Sequence, residues 1–294
     1  MKVRVKKGDK IIIGLGDSFT QGVGSYSDET YEKHNHNIPV FVSDKDLIKE
    51  QYDGSWVNQL CVNHMPDWKP INLGHAGTGN RCAIKELYLH PEIGMENASE
   101  AIVIFFLSGM ERFDFINRTY SQPQHHFEAM WPNYWDKNSP KPNLWKAYAE
   151  DIYSEQFIAM ELMLNLLEAQ MFCEARGWKL IVANAFDIRI TQKWLKDKFA
   201  GAMKLTYNTH VTKTIDSFDW KAFYYPNKMI SLLEYLLDLE GNRDLAPGAW
   251  YRHYTELDKP STYITNCGHP TLKGHAVIAK LFYEHIVKRK LNTV

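Results

Sequence analysis

Four short apolar segments constrain the fold of this chain more than any other feature of its sequence. They are residues 10–15 (KIIIGL), 68–73 (WKPINL), 101–107 (AIVIFFL) and 178–184 (WKLIVAN). Nearly continuous apolar runs of this length are typical of strands that are buried on both faces of a parallel sheet. Helical patterns lie between them, and strand–helix–strand units form right-handed crossovers. The pattern therefore predicts an α/β protein with a doubly wound parallel sheet.

The clearest helix is predicted over 152–176, before a stop signal at Gly177. Apolar residues recur there at three- and four-residue steps, namely Phe157, Met160, Leu164, Leu167 and Met171. Further helices are predicted over 192–205, 229–239 and 273–290, the last of them ending in basic residues that suit a helix C-terminus.

The chain has 294 residues, of which 45% are hydrophobic. This length suits one large domain, so we expect a single domain over 1–294 with insertions near 25–55 and 113–150, where Asn, Pro, His, Tyr and Trp are frequent. The 34 Lys and Arg residues nearly balance the 35 Asp and Glu residues, for a formal net charge of -1. That balance excludes a strongly basic chain, and we expect no nucleic-acid partner.

No apolar run approaches the roughly 20 residues that a membrane-spanning helix requires. The basic first ten residues are followed by an apolar stretch too short for a signal peptide, so we expect a soluble, cytoplasmic protein. The cysteines are Cys61, Cys82, Cys173 and Cys267, and none of them has CxxC spacing. This argues against a disulfide framework or a zinc cluster and predicts reduced thiols.

Ligands of doubly wound proteins bind at the carboxyl ends of the strands, so the residues after each strand are candidates for chemistry. Ser18 follows the first strand in the string GDSFTQG, where a tight turn exposes its hydroxyl at the rim beside helix N–H groups. A helix cap is the alternative role for this serine. His269, in NCGHP before the last helix, is the natural general base. His275, a few residues later, is expected to be a packed or capping residue.

The second and third strands are followed by two further blocks. NLGHAGTGN follows the second strand, and its glycines allow backbone N–H groups to approach a substrate closely, whereas the GxxxxGK[ST] pattern of a nucleotide-binding loop is absent. SGMER follows the third strand and places Glu111 and Arg112 where rim residues meet a substrate. A plain surface ion pair is the alternative for these two charges.

Together these four blocks resemble those of the SGNH/GDSL hydrolase superfamily, which comprises esterases, lipases and carbohydrate deacetylases. The resemblance covers the chain from Lys10 to about Lys288. It implies three α/β/α layers around a flavodoxin-like parallel sheet of about five strands. It also implies that Ser18 is the nucleophile and that Gly77 N–H donates to the oxyanion beside Ser18 N–H. The other residues expected around the oxyanion or substrate are Asn80, Glu111 and Arg112.

Two blocks depart from the family pattern. The third block of the family is GxND, whose Asn donates to the oxyanion; here Met110 or Glu111 stands in its place. Losing one such donor costs on the order of 10²–10³ in rate unless another group, for which Arg112 is a candidate, replaces it. The last block is DxxHP in the family, and its acid falls on Asn266, whose carbonyl can accept the imidazole N–H but carries no charge.

Two functions follow from this resemblance. The first is a serine-dependent esterase that hydrolyses acyl esters or glycan O-acetyl esters through an acyl-enzyme, with no metal or cofactor required. The aromatic residues Trp131, Tyr134, Trp135 and Trp145 offer stacking faces for sugar rings, or alternatively a lid or subunit contact. The second is a catalytically weakened SGNH-fold binding or structural protein, for which a phage virion is one setting. The oligomeric state is left open.

Overall fold

A five-stranded parallel sheet forms the middle layer of the protein. The computed structural model describes residues 4–34, 38, 42–90, 93–116, 127–130, 142–187, 189–202, 208–245 and 261–292. Its strands are β1 (Lys10–Gly16), β2 (Trp68–Gly74), β3 (Glu100–Leu107), β4 (Phe113–Ile116), β5 (Phe127–Met130), β6 (Lys179–Asn184) and β7 (Phe223–Tyr224). The parallel sheet has the order β2-β1-β3-β6-β7, and β4 pairs with β5 in a separate antiparallel ladder.

Helices cover both faces of this sheet. They are α1 (Ser18–Gln21), α2 (Asp28–Lys33), α3 (Lys45–Gly54), α4 (Trp56–His64), α5 (Asn80–Leu89), α6 (Pro142–Ala147), α7 (Glu155–Glu174), α8 (Gln192–Ala202), α9 (Asn208–Ser217), α10 (Leu232–Asp238) and α11 (Leu272–Lys288). Among the described helices, none combines the length and the apolar content that crossing a bilayer requires.

Strand residues alternate between two apolar cores. On β1, Ile11 and Ile13 pack with α5, α7, α8 and α9, whereas Ile12 packs with α4, α10 and α11 on the opposite face. All three isoleucines are fully buried. The arrangement is a three-layer α/β/α fold with flavodoxin-like strand order, as the sequence predicts.

The four predicted strands are present, with boundaries that differ from the prediction by one residue or less. The predicted helices are also present as α7, α8, α10 and α11, with ends shifted by up to three residues. The fifth strand, β7, was not predicted from the sequence. It has only two residues and is preceded by a short 3₁₀ turn at Trp220–Ala222, so it is too short to produce an apolar run.

Only two of the five periodic residues that predicted α7, Phe157 and Leu167, pack against the core. Met160, Leu164 and Met171 are 43%, 51% and 66% exposed. The face that packs on the sheet is the adjacent one, with Ile158, Leu162, Leu166 and Ala169. Apolar residues occur around most of this helix, so their spacing identifies the helix but cannot decide which side is buried.

The two predicted insertions contain regular structure. Residues 25–55 include α2 and α3, and residues 113–150 include the β4–β5 ladder and α6. Of the aromatic residues considered for sugar stacking, Trp131, Tyr134, Trp135 and the side chain of Trp145 lie outside the described residues.

The strand order brings the first three sequence blocks to one rim of the sheet. Strand β1 lies between β2 and β3, with Gly16 opposite Gly74 in the register. The chain turns sharply into α1 after β1, and this turn packs on β2: a Cβ added to Gly74 would lie 2.4 Å from Gln21 N. A glycine is therefore required at the end of β2, and the segments after β1, β2 and β3 are close neighbours.

His275 is a packed residue of α11, as expected from the sequence. It is fully buried, and its Nε2 lies 3.4 Å from the Val23 carbonyl oxygen. Burial lowers the pKa of His275 to about 3, although the Val23 carbonyl partly opposes this change. The imidazole is therefore neutral in the folded protein at neutral pH.

This burial makes folding sensitive to acid. The unfolded chain binds a proton at His275 near pH 6.5, whereas the folded chain does not until about pH 3. Stability is therefore lost as the pH falls below about 6.5, by up to about 1.4 kcal/mol per pH unit for this residue. Urea unfolding between pH 7.5 and 5 should give a shallower pH dependence for His275→Gln. The control His34→Gln should keep the wild-type slope, and equal slopes for wild type and His275→Gln would contradict this account.

Candidate active site

Ser18 is the first residue of α1 and lies directly after β1. Asp17 is the N-cap of this helix, and its carboxylate accepts the Phe19 N–H at 3.0 Å. The helix is a single turn that ends at Gly22, which has a left-handed φ of 101°. The Ser18 side chain thus lies at a strand–helix turn, while Asp17 provides the capping that was the alternative role for the serine.

The imidazole of His269 contacts the Ser18 hydroxyl directly. His269 Nε2 lies 2.8 Å from Ser18 Oγ, although the two residues are 251 positions apart in the chain. The turn that carries the histidine is closed by Thr265, whose N–H donates to the His269 carbonyl at 2.7 Å and whose hydroxyl accepts the His269 N–H at 3.1 Å. The Phe19 ring packs against the imidazole, with centroids 5.6 Å apart. The structure therefore joins the first and last sequence blocks through one hydrogen bond.

The other imidazole nitrogen faces a thiol. Cys267 Sγ lies 3.3 Å from His269 Nδ1 and 3.1 Å from Thr265 Oγ1. Cys267 is exposed at the surface, and the partial desolvation of its thiol would raise the pKa, but the hydrogen bond and charge of His269, with the Thr265 hydroxyl, lower it to about 7. Asn266, which occupies the family's acid position, is exposed and makes no hydrogen bond to the imidazole within the described chain. Cys267 could not be identified from the sequence, because the acid position of the family pattern falls one residue earlier, on Asn266.

Asp17 binds the third block to the Ser18 turn. Its Oδ2 accepts the Ser108 hydroxyl at 2.7 Å and Arg112 Nη1 at 2.9 Å. The carboxylate is 1% exposed and the Arg112 side chain 8% exposed, so this is a buried ion pair. Arg112 Nη1 also donates to the Thr78 carbonyl at 2.8 Å, which extends the contact to the second block.

The second block forms a loop, residues 75–79, beside the Ser18 turn. His75 N–H donates to the Gly16 carbonyl at 3.1 Å, and Ala76 N–H donates to Gln21 Oε1 at 2.6 Å. Gly77 has a φ of 78°, a left-handed conformation that favours glycine. Within the described chain, the N–H groups of Ser18 and Gly77 have no hydrogen-bond partner. Neither backbone donor is therefore committed to another group of the described chain.

Asn80 and Glu111 belong to other networks. The Asn80 amide bonds to both backbone groups of Ser108, at 2.8 Å to its N–H and 3.2 Å to its carbonyl, and so joins α5 to the end of β3. Glu111 accepts Arg189 Nη1 at 2.8 Å, and Met110 is part of an apolar core. Glu111 and Arg112 do not form the surface ion pair considered from the sequence, because each is bonded to a different partner.

Asp114 is a further buried carboxylate that the sequence analysis did not identify. It accepts the N–H groups of Gly79 at 2.6 Å and Cys82 at 2.8 Å, and so caps the start of α5. Burial raises the pKa of Asp114 to about 6, despite the opposing effect of these two hydrogen bonds and of Arg112. The residues after β3 thus support both the second block and the Ser18 turn.

The described arrangement can support nucleophilic chemistry. A hydroxyl shares a hydrogen bond with an imidazole, a thiol faces the other ring nitrogen, and two N–H groups of the adjoining turn and loop have no partner within the described chain. Acyl transfer uses groups of these kinds as nucleophile, general base, orienting group and oxyanion donors.

Comparison with known proteins gives matches to solved structures alone. No protein-family model matches the chain, and no curated protein matches it. The chain is 12% identical to an acetyl xylan esterase, with 94% of this chain and 99% of that chain covered and a TM-score of 0.35. It is 10% identical to the carbohydrate acetylesterase Est24 from Sinorhizobium meliloti, with 95% of this chain and 99% of that chain covered and a TM-score of 0.41. It is 12% identical to a lipase/acylhydrolase from Enterococcus faecalis, with 96% of each chain covered and a TM-score of 0.38.

The fold is the three-layer α/β/α arrangement that the sequence resemblance implies. Its sheet order and the positions of the blocks after β1, β2 and β3 and before α11 agree with the resemblance found in the sequence.

The Asp17–Arg112 pair gives a direct test of this site's construction. Replacing Arg112 by Met leaves a buried carboxylate without its cation, so we expect the free energy of unfolding to fall by about 3 kcal/mol or more. Urea denaturation at neutral pH measures this change. The control is Arg81→Met, which removes the surface contact with Glu161 at 3.8 Å and should cost at most about 1 kcal/mol. Similar losses for the two variants would contradict the buried-pair account.

Proposed function

We propose that this protein is a serine-dependent ester hydrolase that acts through an acyl-enzyme. The observation that carries the proposal is the 2.8 Å contact between Ser18 Oγ and His269 Nε2 at the carboxyl end of the sheet. A hydroxyl becomes an effective nucleophile when an adjacent base accepts its proton during attack. The unpaired N–H groups of Ser18 and Gly77 further support acyl transfer, because they can receive the charge that forms on the carbonyl oxygen.

The reaction proceeds in two halves. Ser18 Oγ attacks the acyl carbonyl while His269 Nε2 takes the hydroxyl proton, and the oxyanion binds the N–H groups of Ser18 and Gly77. The C–O bond to the alcohol then breaks, and His269 gives its proton to the departing oxygen. Water next attacks the acyl-enzyme, with His269 again as base, and the carboxylic acid leaves as Ser18 recovers its proton.

Arg112 has a supporting role in this proposal. Its Nη1 donates to the carboxylate of Asp17, which precedes Ser18, and to the carbonyl of Thr78, which follows Gly77. We propose that Arg112 fixes the position of the Ser18 turn relative to the loop that contains Gly77. The family's Asn donor has no counterpart among Met110, Glu111 and Arg112, so two backbone donors remain for the oxyanion.

We further propose that Cys267 orients His269 in place of the family's acid. With His269 Nδ1–H directed at Cys267 Sγ, the ring keeps Nε2 free to accept the serine proton. A thiol with a pKa of about 7 is partly thiolate at neutral pH, and its charge stabilises the imidazolium that forms during attack. Asn266, which makes no hydrogen bond to the imidazole within the described chain, is given no part in catalysis.

The finer proposal for the substrate is an O-acetyl ester on a glycan. It is supported by composition alone, because the 113–150 insertion is rich in Trp and Tyr, whose rings are of the kind that stacks on sugars. A panel of acetylated glycans and simple acyl esters separates the two classes. Preference for an acetylated glycan over p-nitrophenyl acetate supports this choice, and preference for longer acyl chains contradicts it.

Removal of the nucleophile tests the reaction itself. Ser18→Ala should lower the kcat for p-nitrophenyl acetate by about 10³-fold or more and abolish labelling by a fluorophosphonate probe. Ser99→Ala, which changes a serine hydroxyl on the loop before β3, should keep wild-type activity. Labelling that persists in Ser18→Ala would contradict the proposal. An unlabelled wild type that binds glycans equally well with Ser18→Ala would establish the alternative, a binding protein.

The role of Cys267 has its own test. Cys267→Ser should lower kcat by about tenfold or more with KM unchanged, because the orienting charge is lost. Cys267→Asp should restore activity and move the acid limb of the pH profile below its wild-type position, since a carboxylate is charged at lower pH than a thiol. Asn266→Ala is the matched control and should stay near the wild-type rate. A Cys267→Ser enzyme with wild-type kcat and pH profile would contradict the assignment.

A further inference from the structure

Two histidines and a glutamate form a cluster that the proposed hydrolysis does not use. Glu86 Oε2 lies 2.7 Å from His90 Nε2 and 3.2 Å from His75 Nε2. All three candidate ligand atoms fall within 4.8 Å of one another. The cluster thus brings two imidazole nitrogens and one carboxylate oxygen to a single point.

The fold sets this cluster in place through two elements. Glu86 lies on α5 and His90 is the residue that ends this helix, so their four-residue spacing places both side chains on one face. His75 follows β2 directly, and its N–H is bonded to the Gly16 carbonyl at 3.1 Å. The three side chains therefore meet because β2 and α5 are adjacent in the fold.

The dimensions suit a metal ion. Zinc binds histidine nitrogen at about 2.0–2.1 Å and carboxylate oxygen at about 2.0–2.2 Å, so two ligand atoms on one tetrahedral ion lie about 3.4 Å apart. The 3.2 Å separation between the Glu86 oxygen and His75 Nε2 is close to this value. The 2.7 Å separation to His90 Nε2 is a hydrogen-bond distance, so this pair has to move apart by about 0.7 Å when an ion binds. Two histidines with one glutamate form an established ligand set for zinc, and two histidines with one carboxylate for iron.

The burial pattern also suits an open site. The Glu86 side chain is 7% exposed, whereas those of His75 and His90 are 33% and 28% exposed. The carboxylate is therefore shielded by protein, while the two imidazoles are partly exposed to the solvent from which an ion would bind.

We propose that His75, Glu86 and His90 bind a divalent transition-metal ion of the zinc class. The ion links α5 to the first residue of the 75–79 loop. The Thr78 hydroxyl and N–H both bond to the His75 carbonyl, at 2.7 and 3.4 Å, so fixing His75 also restrains the segment that contains Gly77. The cysteine spacing in the sequence argues against a zinc cluster, whereas the site proposed here contains no cysteine.

Zinc titration of the full-length, chelator-treated protein tests the proposal. Competition with a chromophoric chelator measures the affinity, and Co²⁺ absorption in the visible range reports the ligand set. The variants are His90→Gln, Glu86→Gln and Cys267→Ser. Cys267→Ser is the matched control. The thiol–imidazole contact between Cys267 and His269 could itself attract zinc to the candidate active site, and this variant removes the thiol. No ester substrate is involved, so the result is independent of hydrolysis.

The wild type and Cys267→Ser should each bind one Zn²⁺ at micromolar free zinc or below. His90→Gln should bind about 100-fold more weakly or worse, and should lose both the Co²⁺ bands and the zinc-dependent rise in Tm that wild type displays. Glu86→Gln should behave in the same way, and circular dichroism of the partly exposed His90→Gln variant verifies folding. Zinc affinity unchanged by His90→Gln, binding lost in Cys267→Ser, or no binding by wild type would overturn the proposal.

Discussion

The burial of the Asp17 carboxylate is the constraint on which the candidate site depends. An ion removed from water is costly unless it is paired and hydrogen-bonded. Asp17 meets this requirement through the Phe19 N–H, the Ser108 hydroxyl and the Arg112 guanidinium. These partners come from the first and third sequence blocks, and Arg112 reaches the second block at Thr78. The charge therefore fixes the turn that presents Ser18 relative to the loop that presents Gly77.

His269 is positioned mainly by apolar packing and local contacts rather than by an ion pair. Its turn precedes α11, which packs on the opposite face of the sheet from α5, and His275 in that helix is buried beneath the turn after α1. The Thr265 hydroxyl and the Phe19 ring then limit the orientation of the His269 imidazole. The Ser18–His269 contact thus depends on two interactions: the buried Asp17–Arg112 ion pair positions Ser18, and the apolar packing of α11 positions His269.

The parts of this structure that are encoded locally could be predicted from the sequence. Strands β1, β2, β3 and β6 are long apolar runs, and the blocks after them carry recognisable glycine and serine patterns. Strand β7 and the buried face of α7 could not be predicted, because a two-residue strand and an all-round apolar helix leave the choice to tertiary packing.

The same distinction holds within the candidate site. Ser18 and His269 are identifiable from their motifs, and the structure brings them together. The partners of Arg112 and Glu111 depend on charges about 80 to 95 positions distant in the chain, which no local pattern records. Cys267 and the His75–Glu86–His90 cluster were missed for a related reason: each depends on the direction of side chains after a turn or along a helix, rather than on residue identity.

The most direct test of the central claim is a crystal structure of the protein after reaction with a fluorophosphonate. The account requires phosphorus bonded to Ser18 Oγ, with the phosphonyl oxygen about 2.7–3.1 Å from the N–H groups of Ser18 and Gly77, and His269 Nε2 still facing the reacted oxygen. Phosphorus on another residue, or a phosphonyl oxygen directed into solvent away from both N–H groups, would contradict it.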